Sequence, residues 1–210
     1  MIAMEPQSMV SAVAEALKNR RSYRDFSPEP VETEEIAEIL GLVGTAPSAW
    51  NLQPWRFVVV TDPETKEALQ KAAFGQKQLT GAPVVVALST DMVDALDRVD
   101  DVLDPSMPPE AKEGYKQRIL GSFGRMTTDQ RDQWGKAQGN IALGYLLLLL
   151  ELHGYASSPM LGFDPTAVRE VLELPDHAEI PALIAIGHPS TNHPGPQHRI
   201  PLDQILRYLE

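Results

Sequence analysis

The stretch Ala46-Pro47-Ser48-Ala49-Trp50-Asn51-Leu52-Gln53-Pro54-Trp55 is the most informative part of this 210-residue chain. Its prolines and asparagine set turns, so one reading is a polar loop whose tryptophans pack on the core. The same residues also suit a ligand wall. Two Trp, an Asn and a Gln supply a flat apolar surface with amide donors and acceptors, the combination an aromatic heterocycle with polar edges requires.

On the N-terminal side, Met9, Val10, Val13, Ala16 and Leu17 recur at the spacing of one helix face over Met9–Asn19. Thr33, followed by Glu34 and Glu35, predicts an N-cap opening a helix that runs to about Gly44. On the C-terminal side, Arg56–Thr61 reads as a strand and Pro63–Ala73 as a helix with Pro in its first turn. Pro83–Ser89 is a buried strand, β-branched and uninterrupted. Asp91–Gly124 reads as helical, broken near Pro105, Pro108 and Pro109. Thr127–His153 is the longest helix. Its second half, Ile141–Leu152, is apolar nearly all round and is expected to be enclosed by protein on most sides. Tyr155–Ser158 and Ile180–Gly187 are short strands flanking a helix over Pro165–Leu172, and a proline-rich tail begins at His193. No repeat or linker divides the chain, which predicts one domain over residues 1–210. Strands separated by helices of uneven length suggest an α+β sandwich of layers, not a regular βαβ series.

The chain carries 29 Asp and Glu against 18 Lys and Arg, a net charge of −11, which argues against nucleic acid or an anionic membrane as partner. Any phosphate site must gather its cations locally. Cysteine is absent, so thiolate nucleophiles, disulfides and Cys-bound metal centres are excluded. Met1–Gln7 shows neither a basic start nor an apolar signal core, and the longest apolar stretch, Ile141–Leu150, is far short of the ~20 residues that span a bilayer. The expectation is a soluble, cytoplasmic protein.

The basic cluster Arg20-Arg21-Ser22-Tyr23-Arg24 follows the first helix. Basic residues favour a helix C-terminus through its dipole, which is one account. The other is an anion cradle, because guanidinium groups fork onto phosphate oxygens and Ser adds a hydroxyl donor. In so acidic a chain, three Arg within five residues favour the second. His188, His193 and His198 are evenly spaced, but they lie in a proline-rich loop without a carboxylate cluster to complete a zinc shell, so no metal is expected. Neither GxGxxG nor a Walker A pattern occurs.

The loop resembles the hallmark Pro-Ser-x-x-Asn-x-Gln-Pro-Trp of the nitroreductase superfamily. Arg20-Arg21-Ser22-x-Arg24, Ala73-Phe74-Gly75-Gln76, the Leu-rich central helix, Pro159-Met160-Leu161-Gly162-Phe163-Asp164 and His198-Arg199-Ile-Pro-Leu then fall in that family's order, and the details look closest to its bacterial NADH oxidase branch. The resemblance implies a central mixed or antiparallel sheet flanked by helices, a long buried central helix and an interlocked homodimer with shared active sites. It implies FMN as cofactor and NADH or NADPH as hydride donor. Arg20, Ser22 and Arg199 would hold the phosphate and ribityl end, with Arg21 adding contacts. Arg24 and Gln76 would meet the pyrimidine edge. Pro47, Ser48, Ala49 and Asn51 would reach FMN from the partner subunit. Pro159, Met160, Leu161 and Gly162 would lie along the other edge, with the N–H of Leu161 or Gly162 near flavin N5. Trp50 is read as standing over the open face, filtering flat acceptors. Two departures stand out: some relatives carry Glu at Leu161 and Lys at Gln197, and the second change removes one phosphate charge.

The expected activity is NAD(P)H oxidation through FMN to nitroaromatics, quinones, flavins or oxygen, in a ping-pong sequence. No protein acid or nucleophile is needed for the hydride steps, since the flavin carries that chemistry. The competing readings are another reaction on the same fold (flavin-fragmenting, dehalogenating or azoline-forming) and a non-catalytic flavin-binding dimer.

Overall fold

The computed structural model describes residues 6–209; the sequence reading of the first residues up to Glu5 lies outside the described residues. Helix α1 spans Pro6–Asn19 and α2 Thr33–Val43. Thr33 is not the cap expected: Glu32 occupies that position without a side-chain capping bond, and the Thr33 hydroxyl donates instead to Glu34 Oε2 at 3.2 Å. Strand β1 is Trp55–Val60, followed by α3 (Pro63–Ala72), α4 (Gln78–Gly81) and β2 (Val84–Thr90). Asp62 caps α3, accepting from Thr65 N–H, and Pro63 sits at its first position, where a missing N–H costs nothing. The region expected to be broken at its prolines breaks once more at Arg98, giving α5 (Met92–Asp97), a 3₁₀ turn over Val99–Val102, and α6 (Pro109–Phe123). Helix α7 runs Thr128–Leu152 behind a capping box: Thr127 Oγ1 accepts Gln130 N–H at 3.2 Å, while Gln130 Oε1 accepts Thr127 N–H at 2.9 Å. Strand β3 (Ala156–Met160), α8 (Pro165–Val171) and β4 (Glu179–Gly187) complete the elements.

The four strands form an antiparallel sheet in the order β1-β2-β4-β3. Helices cover both faces. Val84, Val86, Leu88, Ala182, Ile184 and Ile186 pack with Ile36, Ile39 and Val43 of α2 and with Ala142, Leu143, Leu146 and Leu150 of α7. The alternate residues Val85, Ala87, Leu183 and Ala185 pack with Leu69 of α3 and Val168 of α8. Burial on both faces is why the β2 sequence reads as an unbroken apolar run. A third cluster, centred on Leu52, Met92, Val99, Leu103, Ile119 and Phe123, lies beneath α5 and α6.

Gly139 lets α7 lie close on the sheet, since a Cβ there would come within 2.6 Å of Thr90 and 2.7 Å of Pro181. Ile141–Leu152 is buried or half-buried on most sides, as its apolar pattern requires, and open on one. Ile141, Tyr145 and Leu152 are 39%, 42% and 42% exposed, so one apolar face of the helix is open. Met9, Val10 and Leu17 of α1 are exposed as well, as are Ile200, Leu202, Ile205, Tyr208 and Leu209 of the tail. No helix among the described residues is long and apolar enough to cross a membrane.

Candidate functional site

The residues of the basic cluster have different surroundings. Arg21 caps the C-terminus of α1, donating through Nη1 to Lys18 O at 2.5 Å and to Arg20 O at 2.9 Å. Arg20 is half-buried, and its Nη1 is buried with no hydrogen-bond partner. Burial lowers the Arg20 pKa from its ordinary value; Glu151 opposes that, and the like charges of Arg199 and Arg21 add to it. A buried guanidinium with an orphaned N–H and two cations for neighbours is an arrangement an anion would relieve, so these residues fit a phosphate group. Arg199 is exposed and held from the side, donating to Gln197 Oε1 at 2.5 Å and to His198 O at 3.3 Å. Gln197, the departure noted above, thus orients Arg199 where a lysine would add charge.

Glu151 neighbours this cluster and belongs to no motif in the sequence. Burial raises its pKa, against the pull of Arg20 and Arg21. Its signal in the sequence was being the one charge in the apolar run Ile141–Leu152.

Ser22 continues from α1 onto the sheet. It bridges Ser157 of the edge strand β3, and Tyr23 N–H donates to Ser157 O at 3.0 Å. The tail is tied to the same segment: Tyr23 Oη meets His193 Nδ1 at 3.3 Å, and Asn192 donates to Asp25 at 3.0 Å. His188 bonds Pro30 O, so it and His193 have different surroundings. Arg24 is exposed and makes no side-chain hydrogen bond or ion pair among the described residues.

At the other end of β3 the structure joins two further segments. Gln76 Nε2 donates to Gly162 O at 2.7 Å, and Asp164 N–H donates to Ala72 O at 2.9 Å. Phe74 and Gly75 reach this contact through successive left-handed conformations, φ 56° and 82°. Leu161 and Gly162 are exposed and Pro159 is half-buried, on an edge strand where a missing N–H is tolerated. Met160 belongs to this segment by position only. Its side chain is 3% exposed and packs in the second core cluster, so only its backbone is available to a ligand. Ser22 at Ser157 and the Gln76–Gly162 contact thus lie along one sheet edge, on the order of 15 Å apart at the rise of an extended chain.

The loop at 46–54 is neither irregular nor relaxed. It contains a 3₁₀ turn over Ala49–Asn51, with left-handed backbone at Trp50 (φ 60°), Asn51 (φ 57°) and Gln53 (φ 44°). Ser48 Oγ accepts Gln53 N–H at 3.0 Å. Asn51 Nδ2 donates to Val102 O, and Gln53 Nε2 donates to both Asn51 O and Oδ1, each at 3.1 Å. One amide hydrogen and one lone pair of Asn51 remain for a ligand. Pro47 and Ala49 are exposed. Trp50 is half-buried, with its ring edge-on to Tyr115 of α6 at 5.5 Å between centroids, and Arg118 stands 6.0 Å over Tyr115.

Within one chain these groups do not form one site. Ala49 N–H donates to Gln138 Oε1 at 3.0 Å, placing the loop near the middle of α7. Arg20 lies beside Glu151, at the helix end. From Gln138 to Glu151 is about 20 Å along the axis. Sequence reasoning had no signal for Gln138, an unremarkable polar residue on a helix.

A family model described as "Nitroreductase family" matches residues 17–188. A protein of Thermus thermophilus named NADH dehydrogenase is 50% identical over 198 residues, covering 94% of this chain and 96% of that one. YdgI of Bacillus subtilis, assigned as an NAD(P)H nitroreductase, is 30% identical over 201 residues, covering 92% and 96%. A protein of Exiguobacterium sibiricum, assigned as a nitroreductase and solved in complex with FMN, superposes with a TM-score of 0.86 at 26% identity, over 100% of this chain and 99% of that one.

Proposed function

The chain belongs to the nitroreductase family, and from that premise we propose that it is an FMN-dependent NAD(P)H oxidoreductase whose two flavin sites are shared across a homodimer. The observation that carries this reading is the buried, unpartnered Nη1 of Arg20, flanked by Arg21 and Arg199. It is a cationic socket in a protein of net charge −11. When bound, FMN supplies hydride transfer, from NADH or NADPH to a nitroaromatic, quinone, flavin or oxygen in a ping-pong sequence.

The residues divide that task by position. Arg20, Arg199 and Ser22 hold the phosphate end, and Arg21 shapes the socket by fixing the end of α1. Gln76, locked to Gly162, meets the pyrimidine edge of the ring, and the backbone of Pro159–Gly162 lies along the other edge. Arg24, exposed and uncommitted to any other partner among the described residues, would supply a cation at the pyrimidine edge, where negative charge develops. The loop residues Pro47, Ser48, Ala49 and Asn51 come from the second copy, because about 20 Å of α7 separates them from Arg20 in their own chain. The open apolar face of Ile141, Tyr145 and Leu152 is what that second copy covers. The whole chain acts as one FMN-binding domain, in the cytoplasm where its donor is found.

Anaerobic titration of the FMN-loaded protein with NADH and with NADPH, followed by a panel of acceptors, tests the reading. The expected result is stoichiometric bleaching of the flavin band by at least one nucleotide and its return on adding acceptor. Protein that takes up no FMN, or bound FMN that neither nucleotide bleaches, overturns it.

A further inference from the structure

We propose that Arg56 is a positioning residue of the flavin site: clamped by Asp94, its guanidinium fixes the exit of the loop at Ser48–Gln53 and so the shape this loop presents to a ligand. The inference rests on the reading that the loop contacts FMN.

The loop holds a conformation its sequence does not favour. Trp50, Asn51 and Gln53 all have left-handed backbone, and none is glycine. Such backbone is disfavoured for residues with a Cβ and persists only where the surroundings over-determine it. Those surroundings are named bonds. The entry is held by Gln138 through Ala49 N–H and by Val102 O through Asn51 Nδ2. At the exit, three successive carbonyls are all engaged. Gln53 O and Trp55 O accept from Arg56 Nη1 at 3.1 and 2.7 Å, and Pro54 O accepts Asp91 N–H at 2.9 Å.

Both exit anchors converge on the start of α5. Asp91 Oδ1 caps that helix by accepting Asp94 N–H at 2.9 Å, and it also meets His177 Nε2 at 2.9 Å. Asp94 Oδ2 accepts Arg56 Nε at 3.1 Å and also Nη2. Arg56 therefore bridges a helix and two loop carbonyls at once, which its planar fork permits and a lysine ammonium, a single point of charge, cannot reproduce. Its side chain is 37% exposed and that of Asp94 38%. Ion pairs at that exposure add little to stability, so a purely structural role predicts little effect of removing this one.

The test uses FMN-loaded dimers of Arg56→Met, Arg56→Lys, Asp94→Asn and Asn51→Ala. Lys136→Met is the control, since it breaks a partly exposed ion pair between α7 and Glu179 of β4 that does not touch the loop. For each, the FMN dissociation constant, the visible circular dichroism of the flavin, KM and kcat, and the melting temperature are measured. Arg56→Met is expected to weaken FMN binding about tenfold, the loss of roughly one hydrogen bond from the displaced loop, and to change the flavin dichroism. Arg56→Lys should recover part of both, Asp94→Asn should shift them in the same direction as Arg56→Met, and melting should stay near that of the control. If Asn51→Ala weakens FMN while the Arg56 and Asp94 variants leave affinity and dichroism unchanged, the positioning role is wrong and the site reading stands. If Asn51→Ala also has no effect, the loop does not meet the flavin and both fall. Should Arg56→Met fail to fold, Arg56→Lys and Asp94→Asn carry the same outcomes.

Discussion

Gln138 and Glu151 stand about 20 Å apart on α7, and the first holds the Trp50 loop while the second neighbours the Arg20 socket. On the reading proposed above, one continuous helix keeps two halves of a binding site apart within a chain, and a second chain docked over the open face of that helix would bring the socket of one copy to the loop of the other.

The Arg20 socket predicts a salt-dependent loss of cofactor. Arg20→Ala and Arg199→Ala each remove a charge-assisted phosphate contact worth roughly 1.5–3 kcal/mol, or about ten- to a hundredfold in FMN affinity. Titrations at low and high salt check this, and unchanged affinity in both variants would place the phosphate elsewhere.

Glu151 predicts a pH dependence of opposite origin. Its carboxyl is pushed above the ordinary range by burial, with Arg20 and Arg21 opposing. The folded protein therefore binds that proton more tightly than the unfolded chain does. The associated stability is full below the ordinary carboxylate pKa and is lost as pH rises through the raised value. Above it, the ionised carboxylate also competes with phosphate for Arg20. Glu151→Gln should therefore raise the melting temperature of the cofactor-free protein near neutral pH and converge on wild type in acid. It should also tighten FMN binding at neutral pH, and equal FMN affinities of variant and wild type across the range would remove Glu151 from the site.

Trp50 separates access from packing. Its edge-on contact with Tyr115 is worth about 0.5–1.5 kcal/mol beyond area, well short of the ~3–5 kcal/mol lost when a fully buried aromatic is truncated. Trp50→Ala should melt only modestly lower, keep FMN, admit bulkier acceptors and raise KM for small flat ones. Because Trp50 has φ 60°, Trp50→Gly should be more stable than Trp50→Ala by about 1 kcal/mol. A large fall in melting temperature with an unaltered acceptor profile would make Trp50 a core residue.

The parts of this fold legible in the sequence are those with periodicity or a capping signature. The β2 run, Pro63 at the start of α3 and the long helix from Thr127 all announce themselves. The break at Arg98 and the unused cap at Thr33, whose hydroxyl bonds Glu34 instead, do not. The candidate site divides the same way. Cation clustering exposed Arg20, but the left-handed Trp50, Asn51 and Gln53 carry no glycine to betray them. Nor does anything local mark Arg56 or Gln138, whose partners lie 38 and 89 residues away in the chain. The open face of α7 shows the limit of composition: the apolar run gave the helix its need for cover, not which chain supplies it.

The shared site is tested most directly by mixing two defective chains. A chain carrying Arg20→Ala and Arg199→Ala, co-expressed under a second tag with a chain carrying Asn51→Ala and Ser48→Ala, gives mixed dimers that tandem purification isolates. If each flavin is held by the socket of one copy and the loop of the other, one site of the mixed dimer collects both defects and the other is intact. The account predicts about half the wild-type FMN content and turnover, well above either parent dimer. Mixed dimers that bind FMN no better than the mean of their parents would show that each chain builds its site alone.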